Sequence, residues 1–330
     1  MYVCTSLTLF GGGDAACRCY YCINLLLLIH AIIVAISAIA VFMQVYVIHA
    51  ALTADRTVPC IYALLQHKNQ EVYETLLQVI DAHASRLSPP LSLDPNVVIV
   101  DFESAAIAAV RQTFGSTTQL HGCFYHLTQA TWRKVQALGL AVAYKTDDDL
   151  RLFCGMLDEL AFLPVTDVAD GMVWLRSIAP ANAIHLVEYF DETYINGSSR
   201  NMQTSSGENR VRQTAPRFPP ALWNVNAATL DNGHRTNNVA EGWNNRLRNL
   251  VGHYHPSVLA LIEALQADAA EASATVLKHA VGNLVSPTRS RAARKLQERL
   301  QRLCEEYAAG GRELAQFLRA VGHCVRFVCE

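Results

Sequence analysis

Two carboxylates and one Cys–His pair stand in surroundings that could do chemistry. Asp101 closes the apolar run Val97–Val100 in NVVIVDFESA, just ahead of a helical stretch. An acid at the carboxyl end of a buried strand lies where open α/β sheets hold ligands and metals. Its alternative role is N-cap of the following helix. Glu241 is the lone acid in HRTNNVAEGWNNRLRN, residues 234–249, in the first turn of an expected helix. A capping-box acid would suit that place. The asparagines and arginines around it, Arg235, Asn237, Asn238, Asn244, Asn245, Arg246 and Arg248, are more polar than a cap needs. Such side chains contact phosphates and sugars. Cys123 and His126 in GCFYH form a Cys-x-x-His pair, which is half of a zinc site. A buried thiol and a hydrogen-bonded imidazole are the alternative.

The elements that must position these residues read in order along the chain. Residues 41–65 alternate as a hairpin with a polar turn at Thr53–Thr57. Asn69 caps a helix over 69–87, residues 96–101 are a central strand, and a helix runs through Ala105–Phe114. Residues 118–140 read as a strand entering a helix, and 147–195 turn helical. Residues 197–217 have no apolar period and are expected to be a surface loop. Helices follow over 238–252 and 256–274, then a charged amphipathic helix over 289–307.

Bulk composition bounds the rest. The chain has 330 residues, 51% of them hydrophobic, which permits a substantial core. Its net charge of −2 means that a polyanionic partner must meet a local basic surface. The ten cysteines show no regular framework and are expected to be reduced. Between Arg18 and Asp55 there is no charged residue, and residues 22–43 are long and apolar enough to span a bilayer. A single membrane-spanning helix and buried elements of a core are both open for this stretch.

Taken together, VFMQVYVIHA, VVIVDFESAAIAAVRQTF, GCFYHLTQATWRKVQALGL, LAFLPVTDV, YFDETYING and RTNNVAEGWNNRL resemble, in this order, the transposase domain of Mutator-like DNA transposable elements. The resemblance runs from about Val41 to about Leu265. It implies an α/β fold of the RNase H-like kind. That is a mixed sheet flanked by helices, with an α-helical insertion before the last catalytic helix. It implies DNA cleavage and strand transfer by an Asp-Asp-Glu triad holding Mg²⁺ or Mn²⁺. Asp101 matches the second acid and Glu241 the third, so both are expected as catalytic metal ligands. Cys123 and His126 match the family's Cys-x-x-His element, with Zn²⁺ as a further candidate ion.

The family's first acid has no counterpart. Counting back from Gln44 lands in HAIIVAIS, residues 30–37, which has no carboxylate. The first strand is therefore expected to be absent or replaced, the domain truncated at its N-terminus, and catalysis lost. The expected organisation is an unrelated apolar leader at 1–40 and a core at 41–146. A helical insertion with polar loop follows at 147–233, then the last catalytic helix at 234–275 and a charged tail at 276–330. The expected partner is DNA, with self-association as a further expectation and no small-molecule substrate. The expected location is the nucleus. The alternatives are a DNA- or chromatin-binding protein, or a single-pass membrane protein with a transposase-derived soluble part.

Overall fold

A computed structural model describes residues 3–10, 33–35, 44–53, 56–87, 90–203, 209–235, 238–252, 256–282 and 290–324. The chain divides into two compact units. One comprises Met1–His121 and Thr236–Arg289, the other Gly122–Arg235 and Ser290–Glu330.

The first unit is built on a six-stranded mixed sheet. Its strands are β1 (Val3–Phe10), β2 (Ile33–Ala35), β3 (Gln44–Thr53), β4 (Arg56–Leu65), β5 (Val97–Val100) and β6 (Gln119–Gly122), in the order β2-β4-β3-β1-β5-β6. The expected hairpin is β3–β4, antiparallel from Gln44↔Leu65 to Thr53↔Arg56. Within the expected leader, the described residues 3–10 and 33–35 are strands of this sheet. β1 lies between β3 and β5, parallel to the first and antiparallel to the second, with Leu7 paired to Val100. Thr8 and Leu9 are buried. The slot beside β5 is therefore filled by β1. Ile33–Ala35 is likewise strand, paired with β4 at the sheet edge. This corrects the membrane-helix reading at those three positions, and the rest of 22–43 lies outside the described residues. Among the described residues no helix is long and apolar enough to cross a membrane.

Helices cover both faces, because successive side chains of β3 point opposite ways. Tyr46 packs on Tyr73 of α1 (Gln70–Ala84), which the Asn69 side chain caps by accepting from the Val72 amide at 2.9 Å. α2 (Ser104–Phe114) buries Ala106, Ile107, Ala109 and Val110. On the other face Val45 and Val47 join a cluster with Trp243, Leu247, Leu261 and Leu265. The architecture is an α/β mixed sheet flanked by helices, consistent with an RNase H-like arrangement.

The second unit is helical. It begins with α3 (Phe124–Ala137), α4 (Ala141–Thr146) and α5 (Asp148–Glu159), then α6 (Val168–Ser177) and α7 (Ile184–Phe190). Two short helices follow, α8 (Pro220–Trp223) and α9 (Asn226–Leu230). Asp147 caps α5 at the amides of Asp149 and Leu150. Trp223 is fully buried, and its indole donates to the carbonyls of Tyr194 and Phe218. Residues 197–217 are not a plain loop. β7 (Ser198–Gln203) and β8 (Asn209–Thr214) form an antiparallel hairpin. Gly197 enters it at φ 77°, where a Cβ would lie 2.0 Å from the Thr214 carbonyl oxygen.

Two adjacent acids lie in the core of this body. Asp158 and Glu159 are 1% and 0% exposed. Thr131 donates to Asp158 at 2.6 Å, but burial still pushes that carboxyl up to about 8. Burial raises Glu159 as well, with Asp158 adding and the Arg235 charge opposing. Both folded values lie above those of an unfolded chain, so the folded body holds protons that the unfolded chain releases above about pH 4. Stability should therefore fall as pH rises from about 4 to about 8. The full chain is expected to melt several degrees lower at alkaline than at mildly acidic pH, by circular dichroism. Asp158→Asn should flatten that dependence, and an unchanged slope would show that the acid does not titrate with folding.

Candidate functional site

Asp101 follows β5 and is half-buried. It is not the N-cap of α2. That position belongs to Glu103, whose amide donates to the Asp101 carbonyl at 2.7 Å. Glu103 makes no capping bond either. Its carboxylate accepts from the Tyr73 hydroxyl at 2.8 Å, and that hydroxyl accepts from the Gln44 amide at 2.7 Å. Gln44 is fully buried at the start of β3. Tyr46 lies in the same electrostatic neighbourhood. Burial holds its phenol well above the usual range, then Tyr73, Asp101 and Glu103 in turn. The end of β5 is thus a polar cluster with two carboxylates and a hydrogen-bonded relay from α1. Glu103, Gln44 and Tyr73 were not singled out from the sequence. The available signal was a lone amide in the otherwise apolar FMQVYVI.

Glu241 lies in α10 (Asn238–Val251), within the same unit as Asp101, and its side chain is outside the described residues. What fixes this helix is described. Trp243 and Leu247 are buried against β3, β4 and α11 (Val258–Ala280). Asp268 of α11, with a fully buried side chain, accepts from the Trp243 indole at 2.6 Å and from the Tyr62 hydroxyl at 2.6 Å. Arg246 forms an ion pair with the same carboxylate and reaches Glu271 at 2.8 Å. His49 meets the edge of the Trp243 ring, 5.9 Å between centroids. Burial, then the charge of Arg246, pushes this imidazole down to about 3, so it is neutral.

The residues singled out for DNA contact are distributed unevenly. Arg246 is engaged by Asp268 and Glu271. Arg235 belongs to the helical unit, where it donates to Thr229 at 3.3 Å and lies over the Phe162 ring. Asn245 and Arg248 are exposed on α10, and Asn244 is half-buried. Asn238 opens α10 with its side chain outside the described residues, and Asn237 lies wholly outside them. Cys123 is buried immediately before α3, and half-buried His126 sits in the first turn with its ring edge on Tyr125. Among the described residues no group of three or more His, Cys, Asp or Glu is placed to hold a metal ion.

Removing the Asp268 carboxylate would leave Trp243, Tyr62 and the Arg246 charge facing an apolar gap. Asp268→Ala is expected to destabilise the chain by about 3–5 kcal/mol, the cost of breaking a buried charge pair. Urea denaturation should show it as a lower midpoint. A loss below about 1 kcal/mol, the ordinary value of an exposed pair, would mean that the network does not hold α10.

Residues 39–130 match the family model of the MULE transposase domain, a span that takes in β3 to β6, Asp101, Cys123 and His126. No curated protein and no solved structure matches the chain. The segment that places Asp101 at the end of β5 is thus similar to the MULE transposase domain over residues 39–130.

Proposed function

We propose that this transposase-derived protein has lost DNA strand cleavage and strand transfer, and acts through DNA contact in the nucleus. The observation that carries the loss is β1. The strand lying against β5 reads VCTSLTLF and contributes no carboxylate beside Asp101. Phosphodiester cleavage by two divalent ions needs acids that hold both ions at once, one side activating the nucleophile and the other stabilising the leaving oxygen. With the first acid gone, charge compensation falls at both positions together.

Asp101 and Glu241 would be the ligands that remain for Mg²⁺ or Mn²⁺. Carboxylate oxygens are the donors these ions prefer, and half-buried Asp101 and Glu103 supply that chemistry at the end of β5. The relay from Gln44 through Tyr73 would hold Glu103 in one orientation. Exposed Asn245 and Arg248 on α10 would meet the phosphate backbone.

A plasmid-nicking assay tests the reading. Supercoiled DNA with Mn²⁺ should stay supercoiled with this chain and with its Asp101→Ala variant alike. Nicking by the parent that disappears in the variant would overturn the proposed loss, and would point to Glu103 as a substitute acid.

A further inference from the structure

The helix α12 (Arg291–Ala308) lies outside the matched segment and carries its charges in an unusual order. Ser290 caps it by accepting from the Ala293 amide at 3.1 Å. Gln297, Leu300, Leu303 and Cys304 are buried along one side. At 100° per residue, Arg291, Lys295 and Arg302 fall on the side opposite Leu300, with Arg294 and Arg299 flanking them. All five are exposed.

The order runs against the helix dipole. The N-terminal end of a helix is electropositive and favours acids, while the C-terminal end favours bases. Here the first turn has no acid and the last turn no base. Arg291, Arg294, Lys295 and Arg299 crowd the N-terminal half with only Glu298 among them, and Glu305 and Glu306 stand near the other end. Arg302 pairs with Glu306, but among the described residues none of the four cations pairs with a carboxylate. A helix face that served only to be solvated would gain stability from the reverse order. The observed order concentrates positive potential at one end, where cations and free backbone N–H groups add together.

We infer that the N-terminal half of α12 is a docking surface for the phosphodiester backbone of duplex DNA. Charge complementarity carries the assignment. From Arg291 to Arg299 the helix rises about 12 Å. Over that length duplex DNA offers a negative charge about every 1.7 Å of its axis. Arginine forks suit phosphate oxygens, and no base edge is needed for such contact. The inference rests on the DNA reading above but concerns residues other than those at the end of β5, so the two can fail separately.

The test is fluorescence anisotropy of a labelled duplex of arbitrary sequence, titrated with the full chain across a range of salt concentrations. The parent is compared with a variant carrying Arg291→Ala, Arg294→Ala, Lys295→Ala and Arg299→Ala. Each lost phosphate contact removes about 0.9 from the slope of log affinity against log salt, so the variant's slope should be shallower by roughly 3–4. Its melting temperature should be equal to or above the parent's, since cations leave the electropositive end of a helix. Equal slopes, with the parent binding DNA, would overturn the inference and leave the DNA reading intact. A parent that does not bind the duplex would overturn both. A lower melting temperature would show that the four cations serve the fold, which also overturns it. Phosphatidylserine vesicles in place of the duplex form the last arm. Charge-dependent binding to them without binding to DNA would assign the surface to a membrane instead. Should the fourfold variant fail to fold, Lys295→Glu with Arg299→Glu asks the same question, with the same expected loss of slope.

Discussion

A carboxylate buried away from water must be compensated where it lies, and in the sheet unit that constraint falls on Asp268. Tyr62 of β4 and Trp243 of α10 both donate to it, and Arg246 of α10 supplies the countercharge. These groups come from a strand and two helices, with 206 positions between Tyr62 and Asp268. Withdrawing any one of them leaves a desolvated polar group, so the placement of α10 is tied to β4 and α11. Apolar burial of Trp243 and Leu247 alone would fix a face. The hydrogen bonds add direction, because an indole N–H, a phenol O–H and a guanidinium each demand a particular approach. The helix that carries Glu241 is thus held by partners other than Glu241 itself.

The middle of the sheet is governed by β1. It enters between β3 and β5 and completes the ladder of both. Without it each of those strands would present an unpaired backbone edge in the middle of the sheet. The requirement is met by backbone pairing and by burial of residues such as Thr8 and Leu9, neither of which calls for an acid. The sheet can therefore be completed by a sequence that brings no metal ligand.

Much of this was legible in sequence because the signals are local. The β3–β4 hairpin, the Asn69 cap and the apolar run ending at Asp101 follow from period and turn chemistry. The resemblance that runs through DFESA is met by the family match over residues 39–130. What escaped was non-local. Tyr73 has no special place in the pattern of α1 until Gln44 and Glu103 meet it. Asp268 reads as one polar residue in an alanine-rich helix until Tyr62 and Trp243 converge on it. The β7–β8 hairpin escaped for another reason. Its strands pair Arg200 with Arg212 and Asn201 with Val211, so they lack the apolar alternation by which a half-buried strand is recognised. The N-terminal strand was obscured by the long apolar stretch that follows it.

On the proposed reading, the end of β5 retains only part of the carboxylate set that two divalent ions need. The most direct measurement is a Mn²⁺ titration of the full chain, followed by electron paramagnetic resonance of the free ion, beside the Asp101→Asn variant. No more than one weakly held ion per chain is expected, lost in the variant. Two ions held tightly by the parent, with at least one released by the substitution, would contradict it. They would mean that a complete set of acids is still assembled at the end of β5.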